Sequence, residues 1–338
     1  MLFRKSRRAA LVASCLLCLV HGAANATSLD ESRSFSPFFV TNNLPVSIGL
    51  GLPKTLSSSP VAVGETAFDI NVGIKSNAND AGSDTETLLL DGETQSLDLG
   101  VSYGLTERLL VDAQLSYIKH SSGNLDGLIQ NWHDLFGLDE GDRPLFERDS
   151  FLYAYSQNDQ DYALAEPSSG ISDLRIGLGY AVNQHWVDNM MMRLGLSLPT
   201  GDKEKLTGSD KIDIDLGVYM SGRGLQHWRR LGWHANISYL WIGDDESLGI
   251  RTKKGTWFNS FGAYWAINSR WTAKSQIDSH GAMFESAISE LNRSASELTF
   301  GLAYQSTKVG LIEVYFSEDI TVNRSADFSF GISSKVNF

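Results

Sequence analysis

The 338-residue sequence predicts an all-β fold: an antiparallel transmembrane β-barrel of about 12 strands, with a short α-helix in one long extracellular loop. Three observations predict it. Apolar and polar residues alternate with a period of two over many segments, which gives each segment one oily and one wet face. The connections between these segments are alternately long and short, as in barrels with short periplasmic turns and longer external loops. The chain also ends on an alternating segment whose last residue is Phe338, on the same face as Phe328, Phe330, Ile332 and Val336, and this expectation makes Phe338 the assembly signal of the closing strand.

Composition removes several classes. With 28 Lys+Arg against 40 Asp+Glu the formal net charge is -12, the wrong sign for a nucleic-acid binder. Both cysteines, Cys15 and Cys18, lie near the N-terminus, which excludes a disulfide framework or a thiolate zinc site from the rest. No later apolar run reaches the ~18 residues that a membrane helix needs.

The first 26 residues read as an export signal. Arg4, Lys5, Arg7 and Arg8 form a positive lead, an apolar run follows over 9–20, and Ala24-Asn25-Ala26 gives a cleavage pattern, so cleavage is expected after Ala26. Val12-Ala13-Ser14-Cys15 is a weak lipoprotein-like box, and Ser6-Arg7-Arg8 lacks the rest of a twin-arginine signal. Residues 27–65 are expected to be a periplasmic lead or a lumen segment, and 66–338 the barrel.

Strands are expected over 66–76, 94–103, 107–119, 172–182, 189–198, 211–221, 231–242, 256–266, 270–280, 296–305, 309–318 and 326–338. Ile212-Asp213-Ile214-Asp215-Leu216-Gly217-Val218 shows the rule at its plainest. Segments of this length match the ~9–11 residues of a tilted crossing. Aromatics near segment ends, such as Tyr103, Tyr180, Trp241 and Trp271, suit interfacial girdles.

If the apolar residues face lipid, the alternate ones line the lumen. These include Asp69, Asp98, Asp112, Asp173, Asp213, Asp215, Asp278, Glu297, Glu313 and Asp327 against Lys75, Arg175, Arg193, Lys211, Lys274 and Lys335. Such charges either brace the wall or line a cation-leaning path.

One element breaks the alternation. Within the long connection over 120–171, Leu125, Leu128, Ile129, Trp132, Leu135 and Phe136 fall on one helical face, with Asn124 placed to cap and Gly137 to stop. A helix over 125–136 is therefore expected, and Leu125, Leu128, Ile129, Trp132 and Phe136 are its candidate plug or gate residues. Leu110 and Ile118 offer apolar inward faces nearby. Met283–Leu291 is a second helical candidate.

Leu90-Asp91-Gly92-Glu93-Thr94, Tyr103-Gly104-Leu105-Thr106-Glu107-Arg108 and Trp132-His133-Asp134-Leu135-Phe136-Gly137-Leu138 occur in that order. With Leu198-Pro199-Thr200-Gly201 and Thr207-Gly208-Ser209, they resemble an uncharacterised family of proteobacterial outer-membrane β-barrels. The resemblance implies fold and location in a Gram-negative outer membrane. It supplies no catalytic residue.

Searches for reaction chemistry return little. The histidines lack metal-ligand spacing, so no metal and no cofactor is expected. The acidic runs Asp139-Glu140-Gly141-Asp142 and Asp159-Gln160-Asp161 fit no calcium loop. His120 beside Ser121 and Ser122 is the sole local candidate for a lipid-hydrolase dyad. The expected function is a narrow channel or transporter-like barrel for small solutes, occluded by the loop helix. The alternatives are an envelope-maintenance barrel with a closed lumen and, third, a lipid hydrolase. Expected partners are outer-membrane lipid, lipopolysaccharide and the barrel-assembly machinery, with a monomer favoured and no nucleic acid.

Overall fold

A computed structural model of the chain describes residues 36–338, apart from 41, 43, 126, 128–129, 132–145, 159, 225–229, 308–309 and 322. The expected signal peptide and cleavage site lie outside the described residues.

Seventeen strands follow one another: β1 (Thr66–Gly82), β2 (Glu86–Gly104), β3 (Leu109–Ser121), β4 (Leu152–Gln157), β5 (Gln160–Leu164), β6 (Ser168–Ile171), β7 (Leu174–Ala181), β8 (Asn189–Leu198), β9 (Asp213–Arg223), β10 (Leu231–Trp241), β11 (Glu246–Ser247), β12 (Ile250–Arg251), β13 (Gly255–Ala266), β14 (Trp271–His280), β15 (Ala295–Ser306), β16 (Gly310–Asp319) and β17 (Phe328–Asn337). Twelve of them, β1–β3, β7–β10 and β13–β17, pair antiparallel with their neighbours in chain order. The ring closes where β1 pairs β17, from Ala67↔Asn337 to Ser76↔Phe328. Beyond the last ladder residue, Thr66 and Phe338 exchange backbone hydrogen bonds of 2.8 and 2.9 Å. All twelve expected strands are present.

Alternation sets the two faces. On β1, Phe68, Ile70 and Val72 point outward and are exposed, while Asn71 between them is buried inside. The exterior carries Leu97, Leu99, Ile214, Leu216, Phe300 and Leu302 in the same way. Closure leaves the ring without a free edge, so the wall strands pair on both sides, the condition for standing in lipid.

The two ends differ. One carries the short connections 105–108, 182–188 and 267–270; the other carries the connections 122–173, 199–212, 242–254 and 281–294. Several expectations need correcting at this long-loop end. The expected long connection between the first two strands is a continuation of both, because β1 and β2 stay paired from Thr66↔Tyr103 up to Gly82↔Thr87 and turn over at 83–85. The connection 122–173 contains three strands: β4 pairs the extended part of β2, β5 pairs β4, and β6 pairs the end of β3. Helix within 283–291 is limited to α2 (Ser289–Asn292), because Phe284 bridges Thr252 and Lys253 donates to the Met283 carbonyl, which keeps that stretch extended. Of the helix expected over 125–136, Gly127, Gln130 and Asn131 are helical, Leu125 is not, and 126, 128–129 and 132–136 lie outside the described residues.

Residues 36–60 are not part of the wall. They contain one helical turn, α1 (Pro45–Ile48), with proline at the first position, where its missing N–H is harmless. The other described residues of this stretch carry no helix or strand, and their hydrogen bonds and ion pairs reach inward side chains on β2, β7, β9, β14 and β16.

Candidate functional site: the occupied lumen

The inner wall is a network of paired charges. Arg175 on β7 bonds Asp215 on β9, Arg193 on β8 bonds Asp112 on β3, and Lys274 on β14 bonds Glu313 on β16. Lys335 lies 3.6 Å from Asp69 across the closing pair β1–β17. Arg175, Arg193, Lys274, Asp98, Asp112, Asp213, Asp215 and Glu297 are all buried, and Asp69 and Asp278 are half-buried on the same face. Alternate strand positions bring these groups together, as period two requires. Lys211 does not join them: it precedes β9, is exposed, and sits 2.5 Å from Asp245 at the long-loop rim.

The N-terminal segment threads this network. Phe38 donates its N–H to Gln276 Oε1 (2.8 Å), and Gln276 Nε2 donates back to the Phe38 carbonyl (3.4 Å). Gly51 donates to Asp213 Oδ2 (2.7 Å), while Arg175 Nη1 donates to the carbonyls of Gly51 (3.0 Å) and Leu52 (2.9 Å). Lys54 pairs Asp98 at 3.5 Å, Thr55 donates to Asp278 at 3.1 Å, and Ser58 donates to Ser221 at 2.7 Å. These partners stand on β2, β7, β9 and β14, so the segment spans the bore. Gly51 fits because an added Cβ would fall 2.6 Å from Ser197 Cβ and 2.8 Å from Asp213 Cβ.

At the long-loop end the segment enters an apolar cluster. Leu44, Val46, Leu50 and Leu52 pack with Leu88, Leu90, Tyr153 and Tyr155 from the β2–β4 sheet. Leu240 from β10, and Leu206, Ile242, Ile250, Phe284, Ile288 and Leu291 from the other long connections, join it. Burial at roughly 1.5–3 kcal/mol per large side chain makes this the segment's firmest anchor. Small spaces of about 60 and 80 Å³ remain beside the segment, and Asp98 lines both.

The rim explains two quoted motifs. Asp173 accepts from the Thr200, Gly201 and Ser209 backbone N–H groups at 3.1, 2.9 and 3.0 Å and from Ser209 Oγ at 2.6 Å, which fastens Leu198-Pro199-Thr200-Gly201 to Thr207-Gly208-Ser209. Glu93 accepts from the N–H groups of Asn124 and Leu125, which fixes the start of the long connection to β2. Farther out, hydrogen bonds from Lys211 and Lys254 hold the Asp245 carboxyl down to about 2.

Leu125 is half-buried, whereas Leu128, Ile129, Trp132 and Phe136 lie outside the described residues, as does Asp139-Glu140-Gly141-Asp142. Leu110 and Ile118 are buried and inward. His120 is fully buried on the same inner face, its Nδ1 2.8 Å from Thr94 Oγ1 and its Nε2 3.1 Å from the Leu206 carbonyl. Both ring nitrogens are thus engaged inside the barrel, away from lipid, and no dyad with Ser121 or Ser122 forms. Phe338 is 75% exposed on the outer face, its ring edge-on to Phe68 at 5.8 Å. Sequence reasoning did not single out Gln276 and Tyr315, which hold the N-terminal segment, or Lys54 and Gly51 within it, because the path of that segment carries no local sequence signal.

Fold and lumen together define a closed twelve-stranded barrel of the outer-membrane type, with its bore occupied by its own N-terminal segment. The chain belongs to the family described as a protein of unknown function, DUF3187, which matches residues 13–338. No curated protein matches it in sequence. Among solved structures it is similar in fold to the COG4313 outer membrane channel from Pseudomonas putida F1, with TM-score 0.55, 12% identity, and coverage of 83% of this chain and 98% of that one. Weaker likenesses include a NanC porin (TM-score 0.44, 13% identity, 79% and 97% covered) and the CymD monoaromatic hydrocarbon channel (0.38, 12%, 88% and 96%).

Proposed function

We propose that the chain is an outer-membrane channel for small solutes, held closed in this conformation by its own residues 36–60. The observation that carries this reading is the run of contacts from Phe38 to Ser58 across the bore, capped by the apolar cluster at the long-loop end. In this reading the leader is cleaved after Ala26 and Phe338 marks the last strand for the assembly machinery. The short turns face the periplasm, and the long connections face lipopolysaccharide. The protein works as a monomer.

Loop residues 125–136 add to the closure at the external rim, where Asn124 and Leu125 are tied to Glu93. Trp132 and Phe136 are its apolar anchors.

Charge sets the preference of the opened path. Arg175, Arg193 and Lys274 keep their carboxylate partners when the segment leaves. Asp98 loses Lys54, Asp213 loses the Gly51 N–H, and Asp278 loses Thr55. Three carboxylates are thereby uncovered, and the open lumen favours cations. In planar bilayers, deletion of 36–60 should raise conductance at least severalfold, with cations passing more readily than anions. A correctly assembled deletion variant that conducts no better than the full chain would return the protein to the closed, envelope-maintenance reading.

A further inference from the structure

The side chains that hold Phe38 form a pocket with a chemistry of its own. The ring is fully buried, with Lys274 Nζ 4.0 Å from its centroid and the Tyr315 ring 5.1 Å away. Its far edge reaches β15 at Gly301, where an added Cβ would lie 2.7 Å from Phe38 Cζ. The ammonium above the ring is neutralised by Glu313, so the pocket carries an aromatic–cation contact without a net charge to repel a neutral ligand.

The main chain of the same residue is read as well. Gln276, almost wholly buried, presents its amide oxygen to the Phe38 N–H and its amide nitrogen to the Phe38 carbonyl, which is how one strand residue pairs another. The Tyr315 hydroxyl, whose nearer acceptor is Asn71 Oδ1 at 2.8 Å, also lies 3.3 Å from the carbonyl of Phe39. A pocket that grips a ring and also the N–H and C=O flanking it recognises an aromatic residue within an extended chain. Nothing in that geometry requires the residue to belong to the same polypeptide.

We propose that this pocket is a binding site for an aromatic residue of a short peptide, and that Phe38 is its resident occupant while the segment is docked. This deepens the channel reading and rests on it for the claim that the occupant can leave. A peptide that takes the pocket competes with residues 36–40 and loosens the segment from its lower end. Gln276 and Tyr315 supply main-chain recognition, Lys274 and Gly301 the aromatic slot.

The test uses the purified full chain, with N-acetyl-4-fluorophenylalaninamide as probe and ¹⁹F line broadening as readout. Phe38→Ala should bind the probe at least tenfold more tightly than the wild-type chain. N-acetylalaninamide should not displace the probe, and adding Gln276→Leu to the Phe38→Ala chain should abolish binding. Equal binding by wild type and Phe38→Ala, or binding indifferent to Gln276→Leu, would overturn the assignment, as would no binding by a folded Phe38→Ala chain. Probe binding without any rise in conductance on deletion of 36–60 would instead sink the channel reading and leave the site standing.

Discussion

The lumen is held in two different ways along its length. At the long-loop end, Leu44, Val46, Leu50 and Leu52 are fixed by burial in an apolar cluster that four connections share. Beside and below that cluster the same segment is held by directional polar contacts: Arg175 on two carbonyls and Asp213 on one N–H at the long-loop ends of β7 and β9, and, deeper in the bore, Gln276 on Phe38 and Lys54 on Asp98. Apolar burial is strong, non-directional and indifferent to salt. Polar contacts in a bore that opens to water are individually modest, and they exchange with water or with another ligand. The difference teaches that the upper contact sets whether the segment stays, while the lower contacts set what can replace it.

That contrast should break most visibly at the top. Val46→Asp places a carboxylate in the apolar cluster, a change worth several kcal/mol when no partner is at hand. Frequent opening in bilayers and a lower temperature for the heat-modifiable band shift are expected. If openings are no more frequent than in wild type, the cluster is not the anchor.

Among the polar contacts, Arg175→Met should come next in size. It strands Asp215 and leaves the Gly51 and Leu52 carbonyls without their donor. Removing one member of a buried pair typically costs ~3–5 kcal/mol, so adding Asp215→Asn should recover part of the loss. A double variant as unstable as the single one would show that the ion pair is not the source of the effect.

What the sequence discloses follows the same division. The wall was legible because a two-sided environment writes itself as alternation: Ile212 to Val218 has lipid on one side and the lumen on the other. The upper ends of β1 and β2 were not, because Ser76-Asn77-Ala78-Asn79 pairs through backbone above the apolar band and has no oily face to show. The lumen charges could be named from their positions, yet their pairing could not, since Arg175 meets Asp215 through two intervening ladders. The N-terminal segment was hidden for a further reason. Leu44, Val46, Ile48, Leu50 and Leu52 alternate as a wall strand would, but Pro45 starts a helical turn and the interior takes them instead.

Smaller effects sharpen the comparison. Lys54→Gln removes a partly screened pair with Asp98 and should shift opening by ~1 kcal/mol or less, with a flatter dependence on salt. Open probability measured across a salt series checks this; an unchanged slope would mean that Lys54 adds nothing to retention.

Asp245→Asn at the outer rim should leave conductance unaltered. The depressed Asp245 carboxyl, at about 2, favours the folded rim only above the ordinary carboxylate range and loses that contribution as pH falls towards 2. Any margin by which wild type outlasts this variant on heating should therefore be constant from pH 7 to about pH 5 and shrink below about pH 4. A change in open probability between the two would place Asp245 in the closure after all.

The most direct test locks the segment in place. The sequence has no cysteine after Cys18, and Ser58 and Ser221 stand with their hydroxyls 2.7 Å apart, so Ser58→Cys with Ser221→Cys offers a cross-link between segment and wall. Single-channel recording on the oxidised full chain should show a silent barrel. Adding reductant to the same bilayer should restore openings to the wild-type level. An oxidised, cross-linked protein that conducts like the reduced one would contradict closure by residues 36–60.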